Sequence, residues 1–100
     1  MKLDFDYQQL DDIIHSRIRL AIMALLVSLD SAPFVYIRDQ INASDGNLSV
    51  HIRKLEEVNY VSSSKKFVDR KPVTTFSITE LGRSAFEAYV DRMSALIKQS

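Results

Sequence analysis

The sequence predicts a mainly helical domain with a small β-hairpin, in the α+β class. Two observations predict it: apolar residues recur at helical spacing up to about residue 58, and the period changes to two after Tyr60. The chain contains only two glycines and two prolines, so its elements must be long or joined by short turns. The predicted order is α-α-α-α-β-β-α, in one domain over residues 1–100.

The first three predicted helices occupy the N-terminal part of the chain. A short apolar and acidic segment, residues 7–14, predicts the first. Ser16 is a suitable N-cap for the second, which runs to residue 30 with one apolar face. The Ser-Ala-Pro sequence at 31–33 breaks that helix. A short third helix follows over residues 35–41, and Phe34 either begins it or forms a short strand.

The fourth predicted helix covers residues 45–58, after a tight turn at 42–44. Ser44 or Asp45 caps its start. Its inward stripe is Leu48, Ile52, Leu55 and Val58, at i, i+4, i+7 and i+10. The helix should stop at Asn59, because asparagine tolerates the left-handed conformation that a C-terminal cap often needs.

A hairpin and a last helix complete the prediction. One face of the first strand is Val61, Ser63, Lys65 and Phe67, and one face of the second is Thr74, Phe76 and Ile78. Residues 68–72 form the turn between them and hold cations. Thr79 caps the last helix, which covers residues 80–98.

Composition excludes several classes of function. The net charge is zero and there is no cysteine, which excludes disulfides and thiolate sites. Histidines occur only at 15 and 51, so we expect no metal and no cofactor. Because no catalytic motif or phosphate-binding glycine loop is present, we expect no enzyme. No apolar run approaches the roughly 20 residues of a membrane span. We therefore expect a soluble cytoplasmic domain.

Two short helices joined by a tight turn and followed by a hairpin form the winged helix-turn-helix arrangement. Residues 48–61, LSVHIRKLEEVNYV, resemble the recognition helix and exit turn of MarR-like and ArsR-like bacterial and archaeal regulators. Residues 15–22 resemble the opening of their second helix. Residues 67–83 resemble their wing and the Thr-x-x-Gly start of their last helix. The match covers roughly residues 10–95 and is closest to a small, minimal winged-helix subfamily.

Two positions depart from the family pattern, which has glycine after the recognition helix and often at the wing tip. This chain has Asn59 and Asp69 there, and both residue types tolerate positive φ. The resemblance implies a homodimeric regulator that binds double-stranded DNA sequence-specifically, and we expect a repressor. The sequence does not indicate which small-molecule effector, if any, acts on it.

The resemblance places helix 45–58 in the major groove and the basic wing, 66–72, on the DNA backbone or in the minor groove. Short polar side chains near the helix start suit base edges, whereas cations suit phosphates. The predicted DNA contacts are Ser44, Asn47, Ser49, Val50, Arg53, Lys54, Lys66, Arg70 and Lys71.

Each of these predictions has an alternative. Asn47 and Ser49 are also good first-turn residues of a solvated helix, and Arg53 and Lys54 could belong to a solvated charged face. His51, beside the inward stripe, is interpreted as a packed or hydrogen-bonded residue. The alternative function is a winged-helix protein–protein interaction module without DNA binding, which the zero net charge favours.

The last helix predicts a homodimer because it has two apolar stripes, and one stripe is enough to dock it on its own domain. The N-terminal segment is expected to pack beside it. The predicted interface is Leu3, Phe5, Tyr7, Leu10, Phe86, Tyr89, Val90, Met93, Leu96 and Ile97. The alternative is that both stripes fill one intramolecular groove. No dedicated small-molecule pocket is expected, because the core and association use most apolar residues.

Overall fold

The computed structural model describes residues 6–98 of the chain. The helices and strands of these residues are α1 (Arg17–Leu29), β1 (Ser31–Pro33), α2 (Phe34–Ile41), α3 (Asp45–Glu57), β2 (Val61–Val68), β3 (Lys71–Ile78) and α4 (Glu80–Lys98). One turn of 3-10 helix, Tyr7–Gln9, precedes them. The structure has the predicted winged-helix fold, mainly helical with a small β wing.

The core lies where α1 meets the helices of the helix-turn-helix. The side chains of Ile22, Met23 and Leu26 on α1 are fully buried. They pack with Ile37 of α2 and with the predicted inward stripe of α3, in which Leu48, Ile52 and Leu55 are buried. Burying a side chain of this size stabilises the fold by roughly 1.5–3 kcal/mol. The core therefore fixes which face of α3 is turned outward.

The predicted N-terminal helix over residues 7–14 is wrong beyond its first turn. Asp6 accepts a hydrogen bond from the backbone N–H two residues later, at 2.9 Å. Asp11 accepts bonds from the second and third N–H groups after it, at 2.8 and 3.1 Å. The Asp6 bond caps the 3-10 turn, whereas the Asp11 bonds lie inside the segment and compete with a continued helix. The segment consequently forms two short turns, and Ile14 enters the core.

A third strand, β1, occupies the segment that was interpreted as a helix break. The sheet is antiparallel with the order β1-β3-β2, and Ala32 of β1 lies opposite Phe76 of β3. Ala32 and Phe76 are both buried. Three residues are too few to show strand alternation, and β1 exists because β3 supplies its hydrogen-bond partners. Helix α2 follows at once, beginning at Phe34.

The hairpin is longer and its turn shorter than the sequence predicts. Val68 pairs with Lys71, so only Asp69 and Arg70 lie in the turn. Both have positive φ, 51° and 67°. Two successive left-handed residues are typical of a type I′ turn, whose twist matches that of paired strands. The wing therefore extends as a regular two-stranded ribbon up to its basic tip.

Close packing joins the start of α4 to the segment after α3. Asn59 has φ 62°, which confirms its predicted left-handed conformation. The Thr79 hydroxyl donates to the carbonyl oxygen of Asn59 at 2.6 Å and accepts from the Gly82 N–H at 2.9 Å. A Cβ added to Gly82 would lie 2.1 Å from the carbonyl oxygen of Tyr60. In the Thr-x-x-Gly sequence, the threonine therefore caps α4 and the glycine permits α4 to lie against the backbone of Tyr60.

Replacing Gly82 by alanine should therefore destabilise the fold. The new methyl group would meet backbone atoms, which cannot move aside as a flexible side chain can. We expect a loss of about 1–3 kcal/mol in the free energy of unfolding, as for other overpacked sites. Urea unfolding followed by circular dichroism measures it.

Gly46 is the matched control, because it also lies in a helix and an added Cβ there meets nothing within 4 Å. Gly46→Ala should leave stability unchanged or raise it by up to about 1 kcal/mol. Equal stabilities of the two variants would contradict the close approach at Tyr60.

Candidate nucleic-acid interface

Helix α3 begins at a capped and ion-paired turn. The Ser44 hydroxyl accepts a hydrogen bond from the Asn47 N–H at 3.2 Å, which confirms Ser44 as the cap. Arg38 of α2 pairs with Asp45 at 2.8 Å. Ser44 was also predicted to contact DNA, and its hydroxyl already has this structural role. The first bond caps α3, and the exposed Arg38–Asp45 pair connects the start of α3 to α2.

The outward face of α3 carries every predicted DNA contact of that helix. Its exposed side chains include Asn47, Ser49, Val50, Arg53 and Lys54, and the acidic side chains of Asp45 and Glu57 are also exposed. Val50 is 51% exposed, although it is apolar. Since the core holds the opposite stripe, these residues cannot turn inward without unfolding the helix. They form a surface in which short polar residues lie near the helix start and cations lie further along.

The wing exposes its predicted cations together with apolar residues that the sequence analysis did not include in the site. Lys66, Arg70 and Lys71 are exposed. Phe67 is 74% exposed and Val68 is also exposed. Phe67 was expected to share a face with the buried Val61, but the hairpin projects beyond the core, so only Val61 is covered. The alternation of side chains along β2 shows which residues share a face, but it does not show where the core that covers this face ends.

The recognition surface and the wing border one groove of about 580 Å³. Ser49 and Arg53 line it from α3, and residues 72–74 line it from the wing strand, directly after Lys71. No dedicated small-molecule pocket is predicted from the sequence, and this groove differs from that expectation. The groove forms because the wing strand lies beside α3 without closing on it. Of the predicted DNA contacts, Ser49 and Arg53 line the groove, and Lys71 immediately precedes its wing side.

The cations of α3 and the wing have no acidic partner within 4.0 Å among the described residues. Among residues 6–98 the ion pairs within 4.0 Å involve Arg38 and Arg83, and none involves the cations predicted to contact DNA. Those cations are Arg53, Lys54, Lys66, Arg70 and Lys71. Although the chain has zero net charge, the α3–wing surface therefore carries cations that remain available to an anionic partner.

His51 lies on the flank of α3 and is hydrogen-bonded, as interpreted from the sequence. Its Nδ1 lies 2.8 Å from the Arg19 guanidinium of α1. A guanidinium can only donate, so Nδ1 accepts and the ring is neutral. Burial lowers the pKa of His51, and the positive charges of Arg19 and Lys54 lower it further. Arg19 also donates to the carbonyl oxygen of Ile13, which ties α3 to the N-terminal turn.

The residues predicted to form the dimer interface fall into three groups. Leu3 and Phe5 lie outside the described residues. Tyr89 is only 5% exposed and bonds to Nδ1 of His15 at 2.7 Å, so it belongs to its own domain's core. Leu10, Phe86 and Met93 also pack against that core, and Leu96 is half-buried. The exposed residues are Tyr7 at 73%, Val90 at 42% and Ile97 at 68%.

The family of winged helix DNA-binding domains matches the chain over residues 18–97. The chain belongs to that family. It is 37% identical over 86 residues to the uncharacterized protein MJ0432 of Methanocaldococcus jannaschii, covering 86% of this chain and 94% of that protein.

Two solved structures show the same winged-helix fold. A transcriptional regulator homologue of Pyrococcus horikoshii OT3 superposes with a TM-score of 0.83 at 33% identity, over 87% of this chain and 86% of that one. BpsR of Bordetella bronchiseptica, whose DNA binding is regulated by 6-hydroxynicotinic acid, superposes with a TM-score of 0.72 at 16% identity. The overlap covers 93% of this chain and 70% of BpsR.

Family membership confirms the predicted winged-helix transcriptional regulator with DNA as its partner. The family and fold are those of regulators, which are not a class of enzyme. Within residues 6–98, no helix is long and apolar enough to cross a membrane. In the same residues, no group of three or more histidine, cysteine, aspartate or glutamate side chains is arranged to hold a metal ion.

The pKa of His51 predicts a pH dependence of the winged-helix domain's stability. The folded state lowers this pKa, whereas the unfolded chain retains a value near about 6.5. The contribution of neutral His51 is thus complete above the unfolded value and is lost as the pH falls through the folded-state value. Between about pH 7.5 and 5.5, the melting temperature of the wild type should fall more than that of His51→Gln. Parallel curves would contradict the lowered pKa of His51 in the folded state.

Proposed function

We propose that the protein binds double-stranded DNA sequence-specifically as a homodimer, with α3 in the major groove and the wing on the backbone or in the adjacent minor groove. Helix α3 has 13 residues and an exposed, largely polar outer face, which suits insertion into a groove about 12 Å wide. Asn47 can pair with adenine and Val50 can contact a thymine methyl. The cations Arg53 and Lys54 suit phosphates.

The observation that supports the proposal most is the shared groove. Arg53 lines it from α3, and the wing strand lines it directly after Lys71. When α3 lies in a major groove and the wing lies at the adjacent minor groove, one DNA strand runs between them. Its phosphates are then within reach of both α3 and the wing. Since neither cation has an acidic partner among the described residues, no ion pair must be broken when DNA binds.

The proposed dimer forms through α4 and the N-terminal segment. Val90 and Ile97 are seven residues apart, so they lie on nearly the same side of α4. Their exposure, with that of Tyr7, leaves apolar surface that a second copy can cover. A two-fold dimer presents two α3 helices to half-sites about one helical turn apart, roughly 34 Å, and selects a palindrome.

We further propose that the dimer acts as a repressor, because a small domain bound across a promoter blocks access to it.

The candidate alternative is a protein–protein interaction module. The exposed Phe67 and Val68 on the wing favour it, as does the zero net charge. Selection from a random duplex library separates the two, since only the DNA-binding function enriches a sequence.

Removing both wing-tip cations should weaken binding to all duplexes. With Arg70→Ala and Lys71→Ala together, we expect the slope of log affinity against log salt to become less steep by about 0.9 per lost phosphate contact. Fluorescence anisotropy at several salt concentrations measures it. Replacing Arg92 and Lys98, exposed cations of α4, is the matched control and should change the slope little. If the wing variant keeps the wild-type slope, the wing does not contact phosphate.

Asn47→Ala should change sequence preference and leave the salt dependence unaltered. A lost bidentate contact with a base costs roughly 1–3 kcal/mol of discrimination at that base pair. Because the backbone N–H of residue 47, not its side chain, meets the Ser44 cap, the variant should fold normally. Repeating the selection with this variant shows whether one or two positions of the site become degenerate. An unchanged consensus would remove Asn47 from the base contacts.

The dimer proposal is tested with exposed residues, since an aspartate at the buried Tyr89 would unfold the domain. Val90→Asp with Ile97→Asp should give a folded monomer, because a charge in an apolar interface is costly to desolvate. Ala95→Asp is the control: Ala95 is exposed and lies about 140° around the helix from Val90. Sedimentation equilibrium at micromolar concentration reports the mass. A wild-type monomer, or a dimer that survives both changes, would contradict the interface.

A further inference from the structure

The groove between α3 and the wing has the size of a small-molecule site. Its volume of about 580 Å³ lies within the range of roughly 300–1,000 Å³ that ligand pockets occupy. Apolar residues line much of it: Ile52 and Phe76 are nearly buried, whereas Phe34 is half-buried and Val35 is 53% exposed. The rings of Phe34 and Phe76 are 6.3 Å apart and inclined at 53°. The groove thus offers an aromatic and aliphatic surface to an apolar group.

Two opposite charges lie along the same groove. Arg53 and Glu56 both line it from α3, three residues apart, a spacing that places their Cβ atoms about 5–6 Å from each other. They form no ion pair with each other, and neither pairs with another described residue. Ser49 and Thr74 add one hydroxyl from α3 and one from β3. The α3 side of the groove therefore presents a separate cation and anion next to an apolar surface.

From this arrangement we propose that the groove binds a free α-amino acid with a large apolar side chain. Such a molecule carries a carboxylate and an ammonium group on one carbon, next to an apolar body. The carboxylate pairs with the Arg53 guanidinium, which can bind it through two parallel hydrogen bonds, and the ammonium pairs with Glu56. The side chain packs on Phe34 and on the exposed Val35. A simple carboxylic acid would leave Glu56 unmatched and a simple amine would leave Arg53 unmatched.

Binding of this ligand opposes binding of DNA. Arg53 and Ser49 line the groove and are also proposed DNA contacts, so the two ligands compete for them. This consequence rests on the proposed function, whereas the amino-acid site itself does not. By linkage, DNA must weaken the amino acid's affinity by the factor by which the amino acid weakens that of DNA.

Isothermal titration calorimetry of the full chain without DNA tests the site. The probes are L-phenylalanine and L-leucine, with three comparison compounds. Glycine lacks the apolar side chain, phenylalaninamide lacks the carboxylate and N-acetylphenylalanine lacks the ammonium group. We expect each of them to bind at least about tenfold more weakly than phenylalanine, equivalent to 1.4 kcal/mol. If N-acetylphenylalanine binds as tightly as phenylalanine, the role of Glu56 is overturned. If phenylalaninamide binds as tightly as phenylalanine, the role of Arg53 is overturned. A groove that accommodates only a DNA strand would bind none of the probes, which overturns the proposal.

Neutral variants of the two charged residues locate the site. Arg53→Gln and Glu56→Gln should each weaken phenylalanine binding by about tenfold or more. Lys54→Gln and Glu57→Gln are the matched controls, since each removes the same charge from a neighbouring exposed position that does not line the groove. Circular dichroism confirms that all four variants fold. Losses as large in the control variants as in the groove variants would overturn the assignment.

DNA anisotropy with and without phenylalanine separates the two proposals. A reduced DNA affinity that Arg53→Gln no longer shows supports competition in the groove. If calorimetry shows that phenylalanine binds but phenylalanine does not change the affinity for DNA, the proposed competition is overturned, and the proposed amino-acid site still stands. A protein that binds phenylalanine but no duplex refutes the DNA proposal alone.

Discussion

Helix α4 packs directly against the backbone of Tyr60, at a point where four parts of the fold meet. Gly82 permits that contact, and the Thr79 backbone N–H donates to the Tyr60 carbonyl at 3.0 Å. The Tyr60 hydroxyl bonds Asp11 at 2.5 Å, and burial together with this carboxylate raises the pKa of Tyr60 to about 12. One residue thus joins the exit of α3, the start of the wing, the start of α4 and the N-terminal turn. These contacts constrain the placement of α4 relative to α3 and the wing.

Local chemistry made much of the fold predictable from the sequence. Three caps act as predicted: Ser16, Ser44 and Thr79. Elements that depend on distant partners were not predictable. Strand β1 is too short to show a period and is defined by its pairing with β3. The exposure of Phe67 depends on where the core ends, and the role of Gly82 becomes evident only when Tyr60 is placed beside it.

The outward face of α3 could be predicted because its complement, the apolar stripe, is periodic. The distribution of ion pairs over the surface could not be predicted from the sequence. Arg38 and Arg83 pair with aspartates that lie near them in the fold, Asp45 and Asp30, whereas the cations of α3 and the wing form no ion pair within residues 6–98. A neutral composition therefore coexists with a locally cationic surface, because the described ion pairs lie elsewhere on the molecule. Local charge, not net charge, determines what such a surface binds.

A series of hydrogen bonds links the proposed dimer helix to the recognition helix. Tyr89 of α4 bonds His15, at the end of the turn whose Ile13 carbonyl accepts from Arg19, and Arg19 in turn bonds His51 on α3. These bonds cross the part-buried side of α1, where a lost partner is costly to replace. A displacement of α4 therefore cannot leave α3 unaffected unless one of them breaks. In a dimer built on α4, the same bonds would fix the separation of the two recognition helices, so the spacing of the DNA half-sites is a property of the folded protomer as much as of the interface.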